Sequence, residues 1–209
     1  IRLVTANARS LDPAMLRKAN TILELIGQTP IVRLNRLNPH PQVEIYVKLE
    51  YFNPGGSVKD RPALAMIEAA EASGELTPEK TIIEATSGNT GIGLAMVCAV
   101  KGYRLLLTMP DSASLERKRI LKGMGAELLL TPAHLGTDGS IEEVYRMARE
   151  NPDKYFLADQ FNNPVNPQSH ESTCREIWEQ TEGKVTMVVV TMGTTGTLMG
   201  LYAGMKRFN

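Results

Sequence analysis

Residues 81–102 read TIIEATSGNTGIGLAMVCAVKG, and this stretch decides the class of fold. Its first five residues are rich in β-branched side chains and predict a strand over Thr81–Ala85. A loop of Gly, Ser, Thr and Asn follows over Thr86–Gly91, and an apolar helix is predicted over 92–101, where Gly102 ends it. A strand that leads through a short loop into a helix is the repeating unit of a parallel α/β sheet.

The same alternation continues on both sides of this stretch. Further strands are predicted at 31–34, 43–49, 104–109, 126–130, 155–157 and 185–191, and further helices at 12–25, 58–73, 114–124, 139–150, 167–181 and after the loop at 193–197. Elements of these lengths predict an α/β protein with two open, mostly parallel sheets and helices on both faces. Ligands in such folds bind beyond the carboxyl ends of the strands.

The composition narrows the functional classes. The 209 residues contain 23 Lys plus Arg and 23 Asp plus Glu, so no basic excess indicates nucleic acid or an anionic membrane. The apolar run at 92–100 is far shorter than the roughly 18 residues that span a bilayer. Cys98 and Cys174 lie far apart, and neither they nor the three histidines have metal-site spacing. We therefore expect a cytoplasmic protein that acts on small molecules and holds no metal.

A lysine in an unfavourable helix position marks the segment Asn53-Pro54-Gly55-Gly56-Ser57-Val58-Lys59-Asp60-Arg61. The proline and the two glycines allow a tight bend before the next helix. Lys59 then falls in the first turn, where a cation opposes the helix dipole by about 0.3–1 kcal/mol. A lysine in a tight pocket has a depressed pKa and can bond to a carbonyl or to pyridoxal phosphate. The alternative is a solvated lysine at an ordinary junction.

Two further loops at predicted strand ends carry groups that bind anions. Gly193–Thr197 combines glycines and hydroxyls at a helix start, which is typical of a phosphate site and also of a plain Gly-rich turn. Thr86–Gly91 suits a carboxylate or serves as a simple helix cap. Its GxxGxG spacing reverses the dinucleotide GxGxxG order, so it indicates no nicotinamide site. Gln160, after the strand at 155–157, offers one more amide to a carboxylate.

Together these motifs resemble the fold-type II pyridoxal phosphate enzymes, and within them the O-acetylserine sulfhydrylase (cysteine synthase) family. The resemblance extends from about residue 21 to 207. The matching segments are Thr29-Pro30-Ile31-Val32-Arg33-Leu34, Asn53 to Arg61, Glu84 to Gly91, Lys101-Gly102-Tyr103, Met109-Pro110, Gly125-Ala126-Glu127-Leu128 and Glu176-Ile177-Trp178. Asp159 to Pro164 and Met192 to Thr197 resemble the B-type isozyme more than the A type.

The resemblance implies a role for each candidate residue. Lys59 would hold pyridoxal 5'-phosphate as a Schiff base and would then remove the α-proton of the substrate, and Asn89 would hydrogen-bond the ring oxygen of the cofactor. The phosphate would be held by Gly193, Thr194, Thr195, Gly196 and Thr197, and the substrate carboxylate by Thr86, Ser87, Gly88, Thr90 and Gln160. The implied reaction replaces the acetoxy group of O-acetylserine by sulfide, or by thiosulfate in the B type, through an aminoacrylate.

The resemblance also implies a domain plan and an oligomer. A smaller domain would span 44–150, a larger domain would combine 1–43 with 151–209, and the cofactor would lie between them in each subunit of a homodimer. The family continues well beyond Asn209, into a part that carries a serine facing the pyridine nitrogen. We therefore expect that a C-terminal part of the larger domain is missing from this sequence. Either the 209 residues alone bind the cofactor poorly and turn over slowly, or the remainder exists outside these residues.

Other readings of the same residues stay open. Cystathionine β-synthase and the serine or threonine dehydratases share the lysine and the loops, and a non-catalytic binding module could keep the fold. Cys174-Arg175 also departs from the family, which usually has Gly-Pro before Glu-Ile-Trp.

Overall fold

A computed structural model of the chain describes residues 18–208. Its strands and helices, in chain order, are β1 (Ile31–Arg33), β2 (Tyr46–Lys48), α1 (Asp60–Ser73), β3 (Thr81–Ala85), α2 (Asn89–Lys101), β4 (Arg104–Pro110), α3 (Leu115–Gly123), β5 (Glu127–Thr131), α4 (Gly136–Glu150), β6 (Tyr155–Leu157), α5 (Val165–Gln168), α6 (Glu171–Gln180) and α7 (Gly196–Met205). Short 3-10 helices occur at Ile22–Leu25, Glu50–Phe52 and Ala133–Leu135. None of the helices in the described range is long and apolar enough to cross a membrane.

A four-stranded parallel sheet forms the centre of the fold, in the order β5-β4-β3-β6. Thr81 on β3 lies opposite Arg104 on β4, and β6 pairs with the other side of β3. A separate antiparallel pair consists of β1 and β2. The predicted α/β class with a parallel sheet is confirmed, and in the described residues the second sheet consists of the β1–β2 pair.

Helices cover both faces of the parallel sheet, as predicted. All five residues of β3 are buried, which is typical of a central parallel strand. Ile82 faces the larger apolar core, which α1, α2 and α3 complete with residues such as Met66, Leu94 and Leu121. Ile83 faces a smaller core formed with α4. The centre of the sheet is therefore covered by apolar side chains on both faces.

The chain crosses from one side of β3 to the other after β5. It runs from β3 through α2 to β4 and through α3 to β5, and α4 then returns it to β6 on the far side of β3. The direction of the connections thus changes between β3 and β6. Because open α/β sheets bind ligands beyond the strand ends at such a point, the loops after Ala85 and Leu157 frame the candidate site.

Two predictions for the later part of the chain are wrong. A third prediction, the helix over 12–25, lies partly outside the described residues. The segment 185–191 forms no strand, and Val189 is 87% exposed. Its sequence favours a strand, but a strand needs a paired neighbour, and residues 18–208 supply none. The helix predicted over 167–181 is divided into α5 and α6, because the Ser169 hydroxyl donates to the carbonyl of Asn166 and competes with the helix bonds. Of the helix predicted over 12–25, residues 12–17 are not described.

Candidate active site

Lys59 lies where the Pro-Gly-Gly segment enters α1. It is the N-cap residue of that helix, and its backbone N–H donates to Ser57 Oγ at 3.1 Å. The side chain is half-buried, and burial lowers the pKa of its ammonium group. Among the carboxylates of residues 18–208, none forms an ion pair with it. Both features favour the neutral amine, which is the form that attacks a carbonyl carbon.

Asp60 fastens the glycine turn onto the start of α1. It is fully buried, and one carboxylate oxygen accepts from the N–H of Gly55. The other oxygen has no hydrogen-bond partner in the described part of the chain. Burial raises the pKa of Asp60 to about 6, although the bond from Gly55 opposes the rise. The turn before Lys59 is thus held from inside the protein.

Gly93 brings α2 against the Lys59 turn. A Cβ on Gly93 would lie 3.0 Å from the carbonyl oxygen of Lys59 and 3.0 Å from Cβ of Ala63, so a larger residue would push the helices apart. The Thr86 hydroxyl accepts from the N–H of Gly88 at 3.1 Å and closes the loop before α2. Asn89 is exposed at the first position of α2, and Ser87 is half-buried in the loop.

Thr90 and Gln160 meet where β3 and β6 end. The Thr90 hydroxyl donates to Gln160 Oε1 at 2.7 Å. Gln160 in turn donates to Glu84, from its backbone N–H at 3.2 Å and from Nε2 at 3.3 Å. All three residues are buried, and burial raises the pKa of Glu84 to about 7 against the hydrogen bonds from Gln160. Glu84 was not predicted as a site residue. Its one signal in the sequence is a charged side chain within a strand that is rich in β-branched residues.

Asn166 joins the loop before α7 to Gln160. Its Nδ2 donates to the carbonyl oxygen of Gln160 at 2.7 Å and to Thr194 Oγ1 at 3.2 Å. Asn166 was not predicted, since nothing in the sequence distinguishes it from the neighbouring asparagines. Thr195 has a φ of 64°, which is strained for a β-branched residue and turns the chain into α7. Such a turn and the free N–H groups of a helix start together form an anion site.

His170 contacts the start of α7 through Thr197. Its Nε2 lies 3.2 Å from Thr197 Oγ1 and its Nδ1 lies 3.3 Å from Thr173 Oγ1. Burial, aided by the charges of Arg61 and Lys59, lowers the pKa of His170 to about 4. The ring is therefore neutral near pH 7, and it fixes the Thr197 hydroxyl.

Three glycines spaced four apart let α7 pack closely on α5 and α6. A Cβ on Gly196 would overlap the side chain of Asn166, and one on Gly200 would overlap the carbonyl of Pro167. On the third, Gly204, a Cβ would lie 2.6 Å from Cys174 Sγ. This packing fixes the start of α7 beside Asn166.

We expect Gly196→Ala to destabilise the chain by about 1–3 kcal/mol, because the added methyl group must displace Asn166 or α7. The matched control is Gly193→Ala, since no atom lies within 4 Å of a Cβ at Gly193. Its effect on stability is expected to stay within about 0.5 kcal/mol. Urea unfolding of both variants measures the difference, and equal values would contradict the close packing of α7.

Four charged residues connect the start of α1 to α6. Arg61 is 4% exposed and donates from Nε to Glu50 Oε2 at 2.8 Å and from Nη1 to Glu176 Oε1 at 2.7 Å. Lys48 Nζ lies 2.6 Å from Glu176 Oε2. Burial would raise the pKa of Glu176, but the hydrogen bonds from Arg61 and Lys48 outweigh it and hold that pKa at about 2.

The Glu176 carboxylate is expected to make stability depend on acid pH. Its stabilising effect is present above the pKa of an ordinary glutamate, about 4.3, and is lost as the pH falls from there through about 2. Wild type should therefore exceed Glu176→Gln in unfolding free energy at neutral pH, and the difference should shrink below about pH 4. The exposed Glu68 provides the control, since Glu68→Gln should change the unfolding free energy by no more than about 0.5 kcal/mol. A difference that is constant with pH would contradict this role.

Comparisons with known proteins agree on one family. The family model described as pyridoxal-phosphate dependent enzyme matches residues 22–209. Cysteine synthase B of Salmonella typhimurium is 51% identical over 183 residues, which cover 87% of this chain and 60% of that protein. The crystal structure of cysteine synthase from Entamoeba histolytica is 45% identical, with a TM-score of 0.89 over 100% of this chain and 61% of that one.

A hydrogen sulfide-producing enzyme from Fusobacterium nucleatum is similarly close in structure. It is 44% identical, with a TM-score of 0.85 over 91% of this chain and 62% of that one. The chain thus spans about 60% of the length of the relatives that it matches.

The residues present fit the cofactor in the family's name, which carries a phosphate and an aldehyde. The strained turn at Thr195 and the start of α7 suit the phosphate, and the half-buried amine of Lys59 suits the aldehyde. Hydrogen bonds through Asn166 and Gln160 connect the loop at 193–197 to the loop that starts α2.

Proposed function

Because the chain belongs to the pyridoxal-phosphate dependent enzyme family, we propose that it forms the cofactor-binding part of a cysteine synthase. The enzyme would replace the acetoxy group of O-acetylserine by sulfide or thiosulfate. The observation that carries the proposal is Lys59, a half-buried amine that lacks an ion-pair partner in the described residues and lies against α2. The 51% identity to cysteine synthase B of Salmonella typhimurium supports this choice within the family.

Three sets of residues would hold the cofactor. Lys59 Nζ would bond to its aldehyde carbon, and the Asn89 amide would donate to its ring oxygen. The phosphate would lie at Gly193–Thr197, where the φ of 64° at Thr195 and the start of α7 support an anion site.

The carboxylate of the amino acid would bind at the start of α2. For this role we propose Thr86, Ser87, Gly88, Thr90 and Gln160. The accessible part of Ser87 and Gly88 supports direct contact, and the burial of Thr90 and Gln160 supports a position beneath the loop. N–H groups at a helix start favour a carboxylate because the helix dipole is positive there.

The residues of this chain would then move one proton. When bound, pyridoxal phosphate supplies an electron sink for charge that develops at the α-carbon. Once the amino group of the substrate has displaced Lys59 Nζ from the aldehyde carbon, the freed Nζ would take the α-proton of O-acetylserine. Its lowered pKa supports this role, because a base must be unprotonated near neutral pH. The carboxylate site orients the substrate so that its α-proton faces Nζ.

The domain plan and the assembly are part of the same proposal. The cofactor would lie between a domain of 44–150 and a larger one that contains 1–43 and 151–209. The ion pair of Arg61 with Glu176 supports a fixed contact between the two parts. The homodimer and the cytoplasmic location are proposed from the family resemblance.

Product analysis tests the function. We expect cysteine from O-acetylserine with sulfide, or S-sulfocysteine with thiosulfate. Faster formation of cystathionine from serine and homocysteine, or release of a 2-oxo acid and ammonia, would favour the alternatives of the same fold. The absence of any cofactor-dependent turnover in the full-length protein would overturn the proposal and favour a binding module.

A further inference from the structure

Glu84 is a buried acid whose partner in the candidate site is Gln160. We propose that Glu84 is a positioning residue, which sets the orientation of the Gln160 side-chain amide and, through it, of the Thr90 hydroxyl. This inference rests on the proposed function, in which Gln160 and Thr90 serve the carboxylate site.

The burial of the Glu84 carboxylate lowers the stability of the fold unless other contacts compensate for it. It is 2% exposed in the centre of β3, on the side of the sheet that also carries Ile82. A buried carboxylate costs several kcal/mol unless hydrogen bonds or a cation compensate. In the described part of the chain no cation pairs with Glu84, and its two oxygens accept from the backbone N–H and the Nε2 of Gln160.

This arrangement fixes the direction of a chain of hydrogen bonds. A carboxylate only accepts, so it selects the amide orientation in which Nε2 faces Glu84 and Oε1 faces Thr90. Oε1 also only accepts, so the Thr90 hydroxyl must donate to it. A lone pair of Thr90 Oγ1, rather than its hydrogen, then remains for other groups at the start of α2.

A neutral group at position 84 would remove this selection. The flipped amide would place Nε2 toward Thr90, and the hydroxyl hydrogen would be released from Gln160. Burial, aided by the charge of Asp159, raises the pKa of Glu84 to about 7, so both states lie within reach of neutral pH. Of the elements around Glu84, α4 contributes Tyr145, which donates to Asp159 at 2.7 Å. The facing residues Leu107 on β4 and Thr90 on α2 do not titrate.

A double-mutant cycle tests whether Glu84 acts through Gln160. We expect Glu84→Gln to lower the KM for O-acetylserine roughly tenfold with a smaller change in kcat, because the released Thr90 hydrogen can donate to the substrate carboxylate. In a Gln160→Ala background the same substitution should change KM by less than about twofold. The matched control is Glu127→Gln, an exposed glutamate on β5, which should change neither constant. An equal effect of Glu84→Gln in both backgrounds would overturn the proposal.

A second readout requires neither cofactor nor turnover. In the full chain labelled with 15N-glutamine, the side-chain amide signal of Gln160, assigned with Gln160→Ala, is expected to titrate near pH 7. The titration should be absent in Glu84→Gln and present in Glu127→Gln. If the protein turns over no amino acid, the proposed function is wrong. The titration would still support the proposal that Glu84 orients Gln160. If the Gln160 signal titrates in the same way in Glu84→Gln, the proposal that Glu84 orients Gln160 is overturned, even in an active enzyme.

Discussion

Replacement of Lys59 by Arg is expected to abolish covalent attachment of pyridoxal phosphate and to lower turnover by at least about a thousandfold. The guanidinium keeps the positive charge and most of the volume of the lysine side chain, but it is not deprotonated in proteins and forms no bond to an aldehyde. Borohydride reduction followed by peptide mass analysis measures attachment directly. The full-length wild-type protein should carry the reduced pyridoxyl group on the peptide that contains Lys59.

The control for this experiment is Lys122→Arg on α3, an exposed lysine that should leave the labelling pattern unchanged. Unfolding in urea should show similar stability for both variants, since Lys59 has no ion pair to lose in residues 18–208. Labelling of a different lysine in the wild type, or undiminished labelling of Lys59→Arg, would remove Lys59 from the mechanism.

The second large effect concerns stability. Arg61→Ala is expected to lower the free energy of unfolding by about 3–5 kcal/mol, because it leaves two carboxylates in a largely buried cluster without their main cation. The side chains of Glu50 and Glu176 are only 18% and 13% exposed. Arg61→Lys should recover part of the loss, since one ammonium cannot form the forked contacts that Arg61 makes with both glutamates.

The matched control is Arg146→Ala on α4. Arg146 also contacts two glutamates, but its side chain is 48% exposed, so its removal should cost about 0.2–1 kcal/mol. Urea unfolding at neutral pH compares the two. Similar losses for both variants would show that burial of the Arg61 cluster adds nothing to stability.

Sequence patterns predicted the sheet well because they are local. The bounds of β3 and β6 agree with the structure at both ends, since short runs of apolar, β-branched or aromatic residues between polar segments favour a strand. The segment 185–191 shows the limit of this reasoning. Its composition is that of a strand, yet backbone pairing depends on a neighbour that the sequence window does not contain.

The loops of the candidate site could be predicted from the sequence, but the residues that hold these loops in place could not. Glycines and hydroxyls at strand ends indicated the loops at 86–91 and 193–197 because anion binding needs those residue types. Glu84 and Asn166 join these loops by contacts across 76 and 28 residues of sequence, and such partners follow only from the three-dimensional fold. The same holds for the contact of Arg61 with Glu176, which lies 115 residues away.

The packing of Cys174 against Gly204 constrains how this protein can change over evolution. Cys174 stands where the family that the chain resembles usually has glycine, and its Sγ occupies the space that a side chain at 204 would need. One gap between α6 and α7 is thus shared by two positions, and it admits a side chain from either helix but not from both. A lineage that keeps Cys174 is bound to glycine at 204, and a mutation at either position has an effect that depends on which residue the other already carries.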